Sequence, residues 1–387
     1  MIYKILYLSR TTNLGGAEIS LLDLLINIDK SIYLPVVVLP DKKGLFYKEL
    51  VDNGIKVVVL RIPFLQNTLN PFLLLWFFLN IIFFNFFFLY YIAKENIKII
   101  VCNSFQDAFF IVFATKILRK RVLIYIKNIL DKNWKKYIRA KICDLFSSKV
   151  IAISRKNSED FTKYSKSKDK ITIIYDGIDI NKLRKNIKNK RIYDSYLNDG
   201  KDSFKIINIG NLSLLKGQKL LLESLTTEKL KNINLKVFLI GDAYFKRDKK
   251  HKKELVEYIK KNNLENKVFM LGFKKNIGDF IYSSDLLVHC PVIEEGLGLV
   301  ILEAFSLGKI AIGTNIGGIP EMIRDGYNGF LCLPDKESLS EKISFVLENK
   351  DNLAFIIKNA RKTLEEEFNL ETKIKKTEEI YKNMLFS

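Results

Sequence analysis

The sequence predicts an α/β chain with two parallel-sheet domains. Three observations carry that reading. Short β-rich apolar runs alternate with helix-length amphipathic stretches, the pattern of strands joined by crossover helices. The 387 residues exceed what a single core usually organises. A stretch rich in Lys, Asn and Asp, 181–203, interrupts the alternation and reads as a linker or surface excursion. The expected units are residues 1–175, residues 176–365, and a helical tail over 366–387 that returns to the first unit. Ligands of open α/β sheets bind beyond the carboxyl ends of the strands, so two Rossmann-like domains facing each other across a cleft are expected.

The elements follow in order. MIYKILYLSR has an apolar run too short for a signal peptide and reads as a first buried strand. The next strand-like runs are 55–60 and 97–102. Between them, 62–93 carries no charged residue, and 72–92 is apolar except for Asn80 and Asn85. Length and hydropathy make it a transmembrane candidate. Topology argues otherwise, because a single span would put neighbouring strands of one sheet on opposite sides of a bilayer. A hairpin broken near Asn80 would leave halves of ~15 Å as helix, too short for a ~30 Å hydrocarbon core. The segment is therefore expected as a helix starting near Pro71, either buried or pressed into a membrane interface. Further strand-like runs are 122–126, 150–153, 171–174, 205–209, 236–240, 268–271, 286–289 and 310–313. The chain ends in a helical stretch, 369–386.

Composition narrows the function classes. At 48% hydrophobic residues the chain is not disordered. The net charge of +20 suits nucleic acid or an anionic membrane, but no nucleic-acid recognition module accompanies it, so no nucleic-acid partner is expected. The charge is uneven: 116–141 holds ten basic residues against Asp131 alone. That stretch reads either as a solvated helix face or as a membrane-facing one, which with 72–92 suggests a peripheral protein at the cytoplasmic face. Cys102, Cys143, Cys290 and Cys332 are scattered, as for reduced buried thiols rather than a disulfide frame or zinc site.

The strongest motif is Glu295-Gly-Leu-Gly-Leu-Val-Ile-Leu-Glu303. A strand ending near His289 enters a Gly-rich turn and then a helix, which aims backbone N–H groups at an anion. Gly296 and Gly298 let a phosphate come close. Glu295 lies ahead of the helix and Glu303 about two turns along it, ~12 Å at most by helix rise. Carboxylates framing a phosphate site suit a sugar nucleotide, one taking sugar hydroxyls and the other ribose hydroxyls. Neither a G-x-x-x-x-G-K-[ST] loop nor a G-x-G-x-x-G after the first strand is present, which disfavours P-loop and dehydrogenase readings.

Here the sequence resembles the retaining family-4 glycosyltransferases of GT-B fold, through their paired-glutamate motif with seven intervening residues. Other stretches agree in order: Leu14-Gly15-Gly16-Ala17-Glu18, Tyr175-Asp176-Gly177-Ile178-Asp179, Gly210-Asn211-Leu212 with Lys216-Gly217, Gly317-Gly318-Ile319-Pro320-Glu321, and Gly326-Tyr327-Asn328-Gly329-Phe330. The resemblance implies a hexosyl- or N-acetylhexosaminyl-transferase using a nucleotide-diphosphate sugar and a glycan or lipid-linked acceptor, in cell-surface polysaccharide synthesis. It implies no cofactor and no metal. Lys216 would bind the donor pyrophosphate, Glu303 the ribose and Glu295 the transferred sugar. Gly15 and Gly16 would lie against the diphosphate, with Gly210, Asn211, Gly296, Leu297, Gly298 and Leu299 lining the donor site. Two departures stand out. Asn211 replaces the family's usual Arg, and the first domain lacks the His often found there. Lys127, in Ile126-Lys127-Asn128, falls where that His would be, as a leaving-group charge or a solvated lysine. His289 reads as a structural or donor-lining residue, and His251, in a Lys run, as solvent-facing. The rival readings are a sugar-nucleotide epimerase of the same architecture and a catalytically impaired sugar-nucleotide-binding protein.

Overall fold

The computed structural model describes residues 2–61, 70–130, 132–197 and 203–386. It divides into two compact units, Met1–Asp176 with Leu370–Ser387, and Gly177–Asn369. In the first, seven parallel strands run in the order β3-β2-β1-β4-β5-β6-β7. They are β1 (Tyr3–Leu8), β2 (Tyr33–Leu39), β3 (Lys56–Val59), β4 (Ile99–Cys102), β5 (Arg121–Ile126), β6 (Lys149–Ala152) and β7 (Ile171–Ile173). In the second, six parallel strands run β10-β9-β8-β11-β12-β13. These are β8 (Phe204–Ile209), β9 (Leu235–Ile240), β10 (Val268–Gly272), β11 (Leu286–His289), β12 (Ile310–Thr314) and β13 (Phe330–Cys332). Helices cover the strands, so β2 and β4 are continuous apolar runs, and β1, β9 and β11 are broken only by Lys4, Lys236 and His289, as buried parallel strands require.

Two strands escape the sequence reading. Pro35 sits inside β2, opposite Ile5, and proline mid-strand normally counts against a strand. β13 has only three residues, too few to show a period. The stretch 181–203 is also more than a linker. It holds the helix Ile180–Lys185 and a 3₁₀ turn, Ile192–Ser195, and the five residues 198–202 lie outside the described residues. Tyr193 is 1% exposed, stacks on Phe238 with centroids 3.9 Å apart, and donates its hydroxyl to the Phe280 carbonyl at 2.9 Å. This buried ring, set among Lys and Asn, ties the stretch to the second core.

The apolar segment forms the helix Pro71–Lys94, with Asn70 as N-cap accepting from the Phe72 and Leu73 amides. β3 and β4 belong to one parallel sheet, so this helix is a crossover. Among the described residues, a stripe faces the sheet: Phe77, Phe84, Phe88 and Ile92 are buried, together with Asn85, and Ile81, Phe87, Leu89 and Tyr91 pack at its edges. Asn85 is a polar stitch. Its amide donates to Ile81 and Phe109 carbonyls, and its oxygen accepts from the Phe113 and Ala114 amides at the start of the helix Val112–Ile117. Phe72, Phe78, Phe83, Phe86 and Tyr90 remain at least 60% exposed, which sets aside the fully buried alternative.

The chain's final helix, Leu370–Phe386, belongs to the first unit. Its Tyr381 hydroxyl meets that of Tyr7 at 3.0 Å. Its Lys373 ammonium pairs with Asp176 at 2.9 Å and donates to the Ser20 carbonyl at 2.8 Å, all of them buried.

Candidate functional site

The glutamate motif stands at the carboxyl end of the second sheet. β8 ends at Ile209 and passes through Gly210 and Asn211 to a 3₁₀ turn, Leu214–Lys216. β11 ends at His289 and leads through 290–298 to the helix Leu299–Ser306. These two connections bring Lys216 together with His289 and Glu295, which lie more than 70 residues further along the chain. The Lys216 ammonium ion-pairs with Glu295 Oε2, and the His289 ring shares a hydrogen bond between Nε2 and Glu295 Oε1. Burial alone would raise the Glu295 carboxyl, but the adjacent His289 and Lys216 outweigh it and hold the group down at about 2. Glu295 is therefore ionised across the physiological range and can only accept hydrogen bonds.

Glycines shape the cluster. A Cβ at Gly298 would stand 2.7 Å from the His289 ring, so only glycine lets the ring reach Glu295. Gly317 adopts φ +61°, and a Cβ there would lie 2.4 Å from the Glu295 carbonyl, which also accepts from the Gly318 amide at 2.9 Å. The Gly317-Gly318 pair thus backs the Glu295 loop. Gly210 lies beside the Lys216 stem, with the nearest side-chain carbon 3.7 Å from where its Cβ would be. Gly296 is buried, whereas Leu297 and Leu299 are half-buried at the mouth of the helix. Asn211 is exposed, and its carbonyl accepts from the Gln218 side chain at 3.1 Å. Glu303 sits along the helix Leu299–Ser306 and is 7% exposed.

Gly15 and Gly16 lie in the first unit, beyond β1, where Gly15 is the N-cap of the helix Gly16–Asn27. Glu18 curls back over that terminus, its carboxylate lying 3.0 Å from where a Gly15 Cβ would stand, near the Gly15 and Glu18 amides that favour its charge. Burial raises its pKa against the pull of Lys127. Lys127 is not a solvated lysine. It is 9% exposed, donates to the Ala17 carbonyl at 3.0 Å, and faces Asp176, Lys373, Glu18 and Asp107. Burial pulls its pKa down to about 8, although Asp176 and the other two acids favour its charge. Sequence reasoning missed Glu18 as a working side chain. Its place three residues after the N-cap is the available signal, since an acid there can reach back to the terminal amides.

His251 is a correction. It is 2% exposed inside the helix Lys246–Lys261 rather than solvent-facing, because this helix buries it on one stripe with Asp248, Leu255 and Ile259. A Lys run in one dimension hides a four-residue stripe in three. Among the described residues no group of three or more His, Cys, Asp or Glu side chains is placed to hold a metal.

Comparisons with known proteins agree with this architecture. The family model for glycosyltransferase family 4 matches residues 14–182, and that for glycosyl transferases group 1 matches residues 190–363. An uncharacterised glycosyltransferase of Methanocaldococcus jannaschii is 29% identical over 233 residues, covering 58% of this chain and 53% of its own. The UDP-Gal:alpha-D-GlcNAc-diphosphoundecaprenol alpha-1,3-galactosyltransferase of Escherichia coli is 29% identical over 221 residues, 56% of this chain and 55% of its own. The chain thus spans about half the length of the curated relatives it matches. Anabaena HepE in complex with UDP and glucose superposes with a TM-score of 0.83 at 25% identity, covering 98% of this chain and 99% of that one. Two parallel-sheet Rossmann-like domains of this kind are of GT-B class. With both family models in chain order and the glutamate motif in its loop, the chain belongs to the family-4, group 1 glycosyltransferases.

Proposed function

We propose that the protein is a retaining glycosyltransferase that moves a sugar from a nucleotide-diphosphate donor to a hydroxyl of a glycan or lipid-linked acceptor in cell-surface polysaccharide synthesis. The observation that carries this reading is the Lys216–Glu295–His289 cluster at the turn into the helix Leu299–Ser306. The bond between the anomeric carbon and the diphosphate oxygen breaks, and its electron pair leaves with the diphosphate. The acceptor oxygen bonds to the anomeric carbon from the same face, and its proton passes to the departing phosphate. Lys216 and the backbone N–H groups at 296–299 stabilise the charge that develops on the leaving group. Glu295 keeps lone pairs beyond those engaged by Lys216 and His289, and these accept from hydroxyls of the transferred sugar. Glu303 takes the ribose hydroxyls. In the first unit, Gly15 and Gly16 leave the start of the helix Gly16–Asn27 open to a phosphate, and Lys127 braces that helix start through the Ala17 carbonyl. The protein supplies the positive field itself, so transfer proceeds without a metal.

Because HepE was captured with UDP and glucose, UDP-sugars are the first donors to test. A bound donor should raise the melting temperature, since it stabilises only the folded state. Glu295→Gln should lower turnover by roughly a thousandfold while the protein still folds, with a melting temperature somewhat below wild type because the charged partner of Lys216 is lost, and Lys216→Ala should weaken donor binding and slow transfer. Undiminished transfer in both variants would reject the site. Activity lost in EDTA and restored by manganese would reject the metal-free chemistry.

The working place we propose is the cytoplasmic face of a membrane, held peripherally. The support is the exposed aromatic face of the helix Pro71–Lys94 and its basic surroundings. Flotation with liposomes tests it: wild-type protein that fails to float with anionic vesicles at low salt would remove this part of the reading.

A further inference from the structure

A basic recess of about 310 Å³ opens in the first unit between the end of the helix Val112–Ile117, the start of β5, and the end of the helix Asn133–Phe146. Lys116, Arg119, Lys120 and Arg121 line it, with Phe146 and Ser148, and none of its lining residues is acidic. The Lys116 ammonium sits 4.9 Å from the Phe146 ring centroid, which aims it across the recess. Burial and the nearby charge of Lys98 both lower the Lys120 pKa, as expected where like charges crowd.

The recess is distinct from the donor site. Arg121 begins β5 and Lys127 follows its last residue, so six strand residues, ~20 Å, separate the recess from the Gly15–Gly16 loop that Lys127 touches. A donor diphosphate at that loop cannot reach it. The surroundings of the recess are apolar and outward-facing. The helices Pro71–Lys94, Val112–Ile117 and Asn133–Phe146 cover the same face of the sheet, sharing one core with Leu6, Ile100 and Ile124. Their outer faces are therefore neighbours. They expose Phe86, Tyr90, Phe113, Ile117 and Leu145, each at least 58%. Exposed rings beside a cluster of cations make an amphipathic surface of the kind that sits at a bilayer interface.

We propose that this recess binds the phosphate of an anionic membrane lipid headgroup, with the flanking aromatic and aliphatic side chains lying among the upper acyl chains. The inference rests on the peripheral-membrane reading and gives it a headgroup site. Four cations around one concavity complement a phosphate, and the adjacent apolar surface selects a phosphate carried by lipid over a soluble one.

The test compares the wild type with Lys116→Gln/Arg119→Asn. Both side chains are exposed, and Asn tolerates the left-handed backbone at 119, where φ is +49°. Lys253→Ser/Lys260→Ser removes the same charge from an exposed helix face in the second unit. Cosedimentation uses vesicles of phosphatidylcholine alone and of phosphatidylcholine mixed with phosphatidylglycerol, with melting temperatures to confirm folding. At ~1 kcal/mol per charge held at the surface, the recess variant should lose roughly 30-fold in binding to mixed vesicles. The control should lose less than about threefold. Equal losses would overturn the headgroup site while leaving the peripheral reading intact. Absence of wild-type binding to mixed vesicles overturns both. Stabilisation by inorganic phosphate that needs Lys116 and Arg119, without any vesicle effect of the pair, would identify a soluble-phosphate site and also overturn the proposal.

Discussion

Glu295, half-buried, and Lys127, buried, show how two charges are held in opposite ways. Glu295 is drawn down by His289 and Lys216, while Lys127 loses more to burial than its acids return. The Lys127 shift has a measurable sign. With a folded pKa near 8 and an unfolded one near 10.4, the native state binds fewer protons between those values, so this group makes stability rise with pH there. Below the window Lys127 is charged in both states and its contribution is unfavourable and constant. Melting temperatures from pH 7 to 10.5 should therefore show a rising component in the wild type that Lys127→Met lacks. A difference between the two that stays flat across the range would mean Lys127 keeps its ordinary pKa. Sequence alone left Lys127 open between leaving-group cation and solvated lysine, because its partners come from positions 18, 107, 176 and 373. Glu295 could be marked as a site acid from its spacing to Glu303. That it would be gripped by His289 and Lys216 depended on the two loops being packed side by side.

At the scale of elements, the helix Pro71–Lys94 separates composition from packing. Phe88 is fully buried and Phe86 is 69% exposed, two positions apart in a run of nearly identical side chains. Phe88→Ala should cost about 3–5 kcal/mol through lost burial and a cavity. Phe86→Ser should change stability by less than about 0.5 kcal/mol. Denaturant unfolding of both variants checks this, and equal losses would show that the helix rests on the sheet by a different face. The sequence could say that one face is too small to satisfy this helix. It could not say which face, since uniform hydrophobicity carries no period to read. The short β13 and the anchored Tyr193 were hidden for a related reason: three residues, or one ring, are below what a pattern can reveal.

At the scale of the molecule, the chain leaves its first unit at Asp176 and returns to it at Leu370. The return is secured by Lys373, which meets Asp176 in a pair whose side chains are 4% exposed or less. Burial works against the Asp176 charge, but Lys373, Lys127 and Ser20 overcome it and hold its pKa below the ordinary value. A lowered carboxylate stabilises the fold above its unfolded pKa near 3.9 and loses that contribution as pH falls through the folded value. Lys373→Met leaves the Asp176 charge without its nearest partner. It should cost about 3–5 kcal/mol at neutral pH and move the acid-unfolding midpoint upward. An unchanged midpoint would show that Lys127 and Ser20 hold Asp176 unaided.

The sequence by itself determined the two parallel sheets, the glutamate motif in its strand–turn–helix setting, and a crossover rather than a spanning role for the apolar helix. Those features are local: they are written in alternation, in residue spacing and in which strands must be neighbours. Tertiary structure alone decided that His289 and Lys216 both close on Glu295, that Glu18 folds over its own helix terminus, and that His251 points inward. It also decided that Lys116, Arg119, Lys120 and Arg121 surround one recess beside an apolar face. Lys216 meets Glu295 from a separate connection, and Phe146 and Ser148 close the recess against the run 116–121, so packing decides these groupings. Glu18 and His251 are local, but which way each side chain turns is set by what the helix packs against.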